Sequence, residues 1–231
     1  QNMEEYYKSK SVDELTFTDN GMFQAVLHNP EICAELIEHL LHVRVKQIKY
    51  PKLEKQIAPY YTSKGVRLDV YLKDEDKVID VEMQAHPQDA LGKRTRYYQS
   101  MIDIDSLMKG QDYSELKESY ILFICTSDPF GQGLPVYTVR SSFAEIPSVE
   151  FNDKTNKVFY NTSAYKVTDD KELKGFLEFI QTKNACTNFS KQLEKSVQYA
   201  KNNNDWENEY MFFQDVLEDC KEFNKNGGFK F

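Results

Sequence analysis

The fold of this chain is decided by residues 66–84, which read VRLDVYLKDEDKVIDVEMQ. Apolar and polar residues alternate on both sides of a charged turn at residues 74–77, and this pattern predicts a β-hairpin. On the first strand the apolar side chains are expected to share one face, and on the second strand three polar side chains are expected opposite three apolar ones. On the first strand the shared apolar face consists of Val66, Leu68, Val70 and Leu72. On the second strand Ile79, Val81 and Met83 share one face, and Asp80, Glu82 and Gln84 share the other.

The turn length also predicts the register of the hairpin. A four-residue turn pairs Lys73 with Val78, and counting back places Asp69 directly opposite Glu82. Opposed residues have Cβ atoms about 4.5–5.5 Å apart, so two carboxylates there repel each other. A divalent cation is the natural offset, because Mg²⁺ prefers carboxylate oxygens, water and phosphate as ligands. Gln84, on the face of Glu82, could orient the attacking water or the phosphate.

The geometry also admits a simpler interpretation. The two acids could lie on a solvated sheet face, with Lys73 and Arg67 as neutralising neighbours. A single β-bulge would shift the register and separate the acids. From the spacing alone, this solvated face is the more frequent outcome for an acidic hairpin.

The rest of the chain predicts helices that flank the sheet. The order helix, three strands, helix, strand indicates an α/β fold with a mixed sheet, and from residue 169 onward the apolar residues recur at helical spacing. The core is therefore assigned to residues 1–168 and a C-terminal helical extension to residues 169–231. The predicted elements are a helix over 21–42 interrupted at Asn29-Pro30, a strand over 43–50 ended by Pro51, a helix over 86–109, a strand over 119–125, weaker strands over 136–140 and 158–160, and a last helix over 206–223.

Several of these segments together resemble a known family. Asp69, followed after about a dozen residues by the run 79–84 (IDVEMQ), resembles the D…(D/E)xK signature of PD-(D/E)XK nucleases. The similarity is greatest to the transposase-associated, recombination-promoting (Rpn-like) branch, in which the motif often ends in Gln. Further matches are Asp19 with Met22-Phe23, the run 94–98 (RTRYY) and the strand at residues 119–126.

The resemblance implies a restriction-endonuclease-like core of the order α-β-β-β-α-β. It implies an endonuclease that hydrolyses DNA with Mg²⁺ or Mn²⁺, in the context of DNA recombination and mobile elements. Asp69 and Glu82 would hold the metal. Gln84 would stand where the family usually has a lysine, and a glutamine can donate a hydrogen bond but adds no positive charge.

Other residues are further candidates for the site. Asp80, on the face of Glu82, could be an additional metal ligand or a salt-bridge partner at the rim. An acid from the first helix, Glu38 or Glu35, could complete the site, and the sequence does not choose between them. Lys93, Arg94 and Arg96 are candidates for DNA phosphate contacts, with an ordinary solvated helix face as the alternative. A zinc site at His39 and His42 is a minor alternative, because HExxH is absent.

Composition favours a reduced, cytoplasmic protein. The first residues lack the pattern of a secretion signal, no CxxC pair occurs among the four cysteines, and no run is long enough for a membrane span. DNA is the expected partner and a homodimer a further expectation. The net charge of -8 weighs against DNA binding. Together with Gln84, it favours a rival hypothesis, a catalytically weak or inactive nuclease fold that binds a protein partner. A helical regulator built on the C-terminal segment is the weakest alternative, because that segment has no basic stripe.

Overall fold

The computed structural model describes residues 10–45, 51–57 and 66–203, and these form an α/β fold around a six-stranded mixed sheet. The predicted fold class is confirmed. No helix within these residues has the length and apolarity that a membrane span requires. The helices are α1 (Asn20–Leu27), α2 (Pro30–Leu41), α3 (Leu91–Ser106), α4 (Lys171–Thr182) and α5 (Asn188–Lys201); the strands are β1 (Lys52–Ile57), β2 (Val66–Lys73), β3 (Lys77–Gln84), β4 (Glu118–Cys125), β5 (Val136–Val139), β6 (Ser142–Phe143), β7 (Ile146–Glu150) and β8 (Thr155–Asn161).

The strand order in the main sheet is β1-β2-β3-β4-β8-β5. The hairpin β2–β3 is antiparallel, as is the pairing of β1 with β2, whereas β3, β4 and β8 run parallel to one another. Strand β4 lies between two parallel neighbours and is almost wholly buried, as is typical of a central parallel strand, and it confirms the strand predicted over residues 119–125. The short strands β6 and β7 form a separate two-stranded ribbon with exposed residues.

Each face of the sheet has its own hydrophobic cluster. Helices α1, α2, α4 and α5 cover one face, where their apolar residues pack against Ile79, Val81 and Leu122. Helix α3 covers the other face, where Tyr98 and Met101 pack with apolar residues from β2, β4 and β8. Because Asp80, Glu82 and Gln84 alternate with Ile79, Val81 and Met83, they point to the α3 face.

The interruption predicted near Asn29-Pro30 is confirmed. The Asn29 side chain accepts hydrogen bonds from the amides of Glu31 at 2.9 Å and Ile32 at 3.3 Å, and so caps α2. Pro30 occupies the first turn, where its missing amide proton costs nothing. His42 ends the helix in a left-handed conformation with φ of 54°.

Three sequence-based expectations were wrong in detail, and one element was not predicted. Residues 43–45 of the strand predicted over 43–50 form no strand, and residues 46–50 lie outside the described residues. A strand begins directly after Pro51, because proline is tolerated at the start of a strand. Helix α3 begins at Leu91, since Ala90 has a positive φ of 59° that interrupts helical backbone. The β6–β7 ribbon was not predicted. On β2, Val66 and Leu68 belong to the α3-side cluster, whereas Val70 and Leu72 belong to the opposite one.

The helices after residue 169 share the core of the α1–α2 face. Phe176 and Phe189 lie in the same cluster as Phe23 and Leu36. The predicted apolar stripes of α4 and α5 are therefore confirmed, while the division of the chain at residue 168 stays a prediction. The helix predicted over residues 206–223 lies outside the described residues.

The contact of α4 with the cap of α5 gives a stability prediction. A Cβ atom at Gly175 would lie 2.2 Å from Cγ2 and 2.9 Å from Oγ1 of Thr187. We expect Gly175→Ala to lower the free energy of unfolding by about 1–3 kcal/mol through overpacking, despite a helix-propensity gain of about 1 kcal/mol. Urea denaturation followed by circular dichroism measures this.

Thr187→Ser is the matched control, because it removes Cγ2 and keeps the hydroxyl that accepts the Ser190 amide at 3.2 Å. The double variant Gly175→Ala/Thr187→Ser should recover part of the lost stability. A Gly175→Ala protein as stable as the parent would show that the two helices can separate without cost.

Candidate functional site

The hairpin follows the predicted register from Lys73 with Val78 to Val70 with Val81, where the ladder of paired residues ends. Beyond that pair, hydrogen bonds from backbone amides to carboxylates bring Asp69 and Glu82 together. The Asp69 amide donates a hydrogen bond of 2.8 Å to Glu82 Oε1. The Met83 amide in turn donates one of 3.2 Å to Asp69 Oδ2. Each carboxylate is thus held by the backbone of the neighbouring strand.

The burial of Glu82 and Asp80 distinguishes them from acids on a solvated sheet face. Glu82 is 1% exposed and Asp80, two residues earlier on the same face, is 0% exposed. Both oxygens of Asp80 are buried, and no N–H or hydroxyl group of the described residues donates to them. The carboxyl beside them is that of Glu82, with which Asp80 can form a hydrogen bond only when one of the two acids carries a proton. Because buried polar atoms nearly always have a partner, the Asp80 carboxyl needs a proton or a cation. The solvated-face alternative, which concerned Asp69 and Glu82, is therefore excluded for Glu82, whereas Asp69 is partly exposed.

Burial and mutual repulsion both favour the protonated forms. Burial, followed by the charge of Asp69, raises the pKa of Glu82 to about 8. Burial, followed by the charges of Glu82 and Asp69, raises the pKa of Asp80 well above its ordinary value. Acids that crowd together in a low-dielectric environment hold protons more tightly than isolated ones. Near neutral pH the cluster therefore retains protons unless a cation offsets its charge.

Arg94 from α3 is the positively charged group in direct contact with this cluster. Its Nη2 donates to Glu82 Oε2 at 3.0 Å, and its Nη1 donates to Gln84 Oε1 at 2.7 Å. Nη1 also donates to Gln88 Oε1 at 2.7 Å. The guanidinium carbon lies 5.0 Å from the ring centroid of Tyr98, whose hydroxyl accepts from Nε and Nη2. The Arg94 side chain is 28% exposed, so its pair with Glu82 is only partly shielded from solvent.

Gln84 is engaged on both sides of its amide. Its oxygen accepts from Arg94, and its nitrogen donates to the His86 carbonyl. The side chain therefore fixes Arg94 relative to the backbone that follows β3. In this arrangement Gln84 is a positioning group for the guanidinium.

The other candidates are placed away from the acids. Glu38 accepts the Val45 amide at 3.1 Å, and its helix α2 packs on the opposite face of the sheet, while Glu35 lies 3.5 Å from His39. Lys93 and Arg96 are exposed on α3. The structure brings Asp69, Asp80, Glu82, Gln84 and Arg94 together and does not bring in Glu38, Glu35, Lys93 or Arg96.

The zinc site at His39 and His42 and the neutralising role of Lys73 also lose support. His39 stacks on Phe189 with ring centroids 4.8 Å apart, whereas His42 pairs with Asp170 at 3.2 Å, so the two histidines serve different contacts. Lys73, one of the predicted neutralising residues, lies 3.5 Å from Asp105.

Sequence reasoning missed two members of the site. Gln88 lies in the connection between β3 and α3, where no pattern indicates a contact. Tyr98 was identified as part of the RTRYY run at residues 94–98, and four-residue helical spacing from Arg94 was the signal that could have joined the two side chains.

The donor chemistry of the cluster fits a hard divalent cation. Mg²⁺ and Mn²⁺ prefer carboxylate oxygens, and Asp80 offers two to which no N–H or hydroxyl group of the described residues donates. Asp69 and Glu82 supply the remaining carboxylates. Within the ranges that the structure describes, no group of three or more His, Cys, Asp or Glu side chains is already arranged around a metal position. Glu82 is instead directed to Arg94.

Comparison with known proteins gives one match. Residues 21–207 match the family model described as PD-(D/E)XK nuclease family transposase. The matched range includes the hairpin, α3 and both helices after residue 169. No curated protein and no solved structure matches the chain significantly.

The raised pKa values predict how stability depends on pH. Glu82 has an ordinary pKa of 4.5 when unfolded and about 8 when folded, so the folded state binds the proton more tightly. Its contribution to stability is complete below pH 4.5 and is lost as the pH rises toward 8. We expect Glu82→Gln, and likewise Asp80→Asn, to flatten the decrease in the free energy of unfolding between about pH 5 and 8.

Urea denaturation in EDTA, at intervals across that pH range, measures the effect. Glu145→Gln, an exposed change of the same kind, is the control and should leave the slope unaltered. Identical slopes in the parent and both site variants would mean that the acids are solvated and titrate normally.

Proposed function

The chain belongs to the PD-(D/E)XK nuclease family transposases, and from this membership we propose that it is a divalent-metal-dependent DNA endonuclease. The substrate is the DNA phosphodiester bond, and the site consists of Asp69, Glu82 and Gln84 with Asp80 as a further ligand. The observation that carries the proposal is the buried Asp80 carboxyl, to which no N–H or hydroxyl group in the described part of the chain donates and which lies in a cluster with Glu82 and Asp69.

A buried cluster of acids stabilises a fold poorly. Charges removed from water are costly unless they are paired, and like charges add repulsion. Apolar residues at these positions would pack with Ile121 and Phe123 without that cost. The retention of three carboxyls at the end of the hairpin is therefore better explained by chemistry than by stability.

Each residue has a separate task in the proposed reaction. Asp69, Glu82 and Asp80 would hold Mg²⁺ or Mn²⁺ through their oxygens. When bound, the metal would supply a water of lowered pKa and offset charge on the phosphate. Gln84 positions Arg94, whose guanidinium supplies positive charge beside Gln84, the position at which the family usually has a lysine. Exposed Lys93 and Arg96 would attract the DNA backbone along α3.

Isosteric substitutions test the catalytic assignment. We expect Asp69→Asn and Glu82→Gln to reduce Mg²⁺-dependent nicking of supercoiled plasmid by at least about 100-fold, because each removes a charged oxygen from the metal. Their melting temperatures without metal should equal or exceed that of the parent, since each removes a repelling charge. Glu145→Gln is the matched control and should cleave normally. Site variants that nick plasmid as fast as the parent would refute the assignment.

A catalytically weak or inactive member that binds a partner is the second candidate function. Two observations favour it. Gln84 stands where the family usually has a lysine, and Arg94 already forms an ion pair with Glu82. The net charge of -8 also opposes tight DNA binding.

Calorimetric titration with Mn²⁺ separates the two functions. An endonuclease should bind Mn²⁺ at micromolar to millimolar concentrations, and Glu82→Ala should abolish the binding, because the ion loses a charged ligand. Binding should also weaken from pH 8 to pH 6, since protons must leave the acids. Absence of binding at several millimolar Mn²⁺ would favour the partner-binding module. Light scattering of the same samples tests the expected homodimer.

A further inference from the structure

We propose that Arg94 and the divalent cation compete for the carboxylate of Glu82, so that metal binding transfers Glu82 from the guanidinium to the ion and releases Arg94 toward the DNA phosphate. This inference holds only if the chain binds a divalent metal, as proposed above. It adds a residue on α3 that controls how tightly the metal is held.

The first reason is that both carboxylate oxygens of Glu82 already accept hydrogen bonds. Oε2 accepts from Arg94 at 3.0 Å and Oε1 accepts the Asp69 amide at 2.8 Å. The carboxylate is 2% exposed as a side chain, so little space around it is open to solvent. A cation that takes an oxygen of Glu82 must displace one of these donors. The Asp69 amide belongs to the strand backbone, whereas Arg94 is a flexible side chain.

Electrostatics gives the second reason. A guanidinium and a divalent cation a few ångströms apart repel each other strongly in a buried environment. The two cannot both be close to Glu82 without cost, whichever oxygen each one uses. Positive charge at Arg94 therefore lowers the affinity of the cluster for metal, and metal lowers the affinity of Glu82 for Arg94, by the same factor.

The third reason is that Arg94 has a position available after release. Its guanidinium lies over the rings of Tyr98 and Phe123, at 5.0 and 5.2 Å from their centroids, and these contacts do not depend on Glu82. Gln88, which accepts a hydrogen bond from Nη1, is an exposed residue. Guanidinium groups bind phosphate through paired hydrogen bonds, so the released group is suited to a DNA backbone beside Gln88.

Arg94→Met is the principal test, because methionine keeps apolar contact with the two rings and removes the charge. In calorimetric titrations of the full chain with Mn²⁺ at one pH and ionic strength, we expect this variant to bind about tenfold more tightly than the parent, the factor that one or two charge-assisted hydrogen bonds are worth. Its melting temperature without metal should fall, and saturating Mn²⁺ should restore it.

Two controls separate competition from other effects. Arg96→Met makes the same charge change on the exposed side of the same helix, and its Mn²⁺ affinity should stay within about twofold of the parent because surface charges are screened. Gln88→Ala changes no charge and removes only the hydrogen bond that Arg94 donates to Gln88. It should raise the Mn²⁺ affinity about twofold to fivefold, the value of one exposed hydrogen bond, with an unchanged melting temperature.

If Arg94→Met does not fold, Arg94→Lys is the variant that tests the competition. Lysine retains the charge but cannot reach Glu82 and Gln84 at once, so the Mn²⁺ affinity should lie between those of the parent and Arg94→Met. If the parent binds Mn²⁺ and the Arg94 and Gln88 variants bind it equally or more weakly, competition is refuted and the proposed function stands. If neither the parent nor any variant binds Mn²⁺, the metal-dependent function is refuted as well.

Discussion

Repulsion among three carboxyls is the constraint on which this molecule is organised. Asp69, Asp80 and Glu82 meet where α3 covers the hairpin, and two of them are almost completely removed from water. Such a cluster can exist only if protons, a guanidinium or a metal ion offsets its charge. The structure describes two of these: the pKa of Glu82 is raised to about 8, which favours its protonated form, and Arg94 lies 3.0 Å from Glu82. The backbone amides of Asp69 and Met83 fix the positions of the acids. A proton, a guanidinium or a metal ion can then neutralise them.

This exchange of counter-charges connects stability, metal and substrate. A proton, Arg94 and a cation all bind the same small set of oxygens, so each one weakens the hold of the others. For a chain of net charge -8, local compensation matters more than the total. In the proposed function α3 presents positive charge to DNA, and Arg94 adds to that charge when the metal displaces it from Glu82.

The hairpin could be predicted almost completely, and the contacts across the sheet could not. The turn at residues 74–77 determines which residues of β2 and β3 are opposed, because the register of a hairpin follows from its turn. The burial of Asp80 depends on how α3 lies over the sheet, and no local pattern contains that information. The same holds for the pairing of Arg94 with Glu82. The strand after Pro51 was missed because proline was interpreted as an end, although it is equally compatible with a beginning.

The position of Arg94 in the chain has a consequence for how the protein folds. The acids lie on β2 and β3, and the next helix along the chain both covers them and carries their counter-ion. An isolated hairpin would leave the carboxylates hydrated, with no desolvation penalty and with their repulsion screened by water. When Tyr98 and Met101 dock on the sheet and exclude water, Arg94 docks with them. Dehydration and neutralisation are therefore a single event, and no folding intermediate needs to bury these acids without their counter-ion.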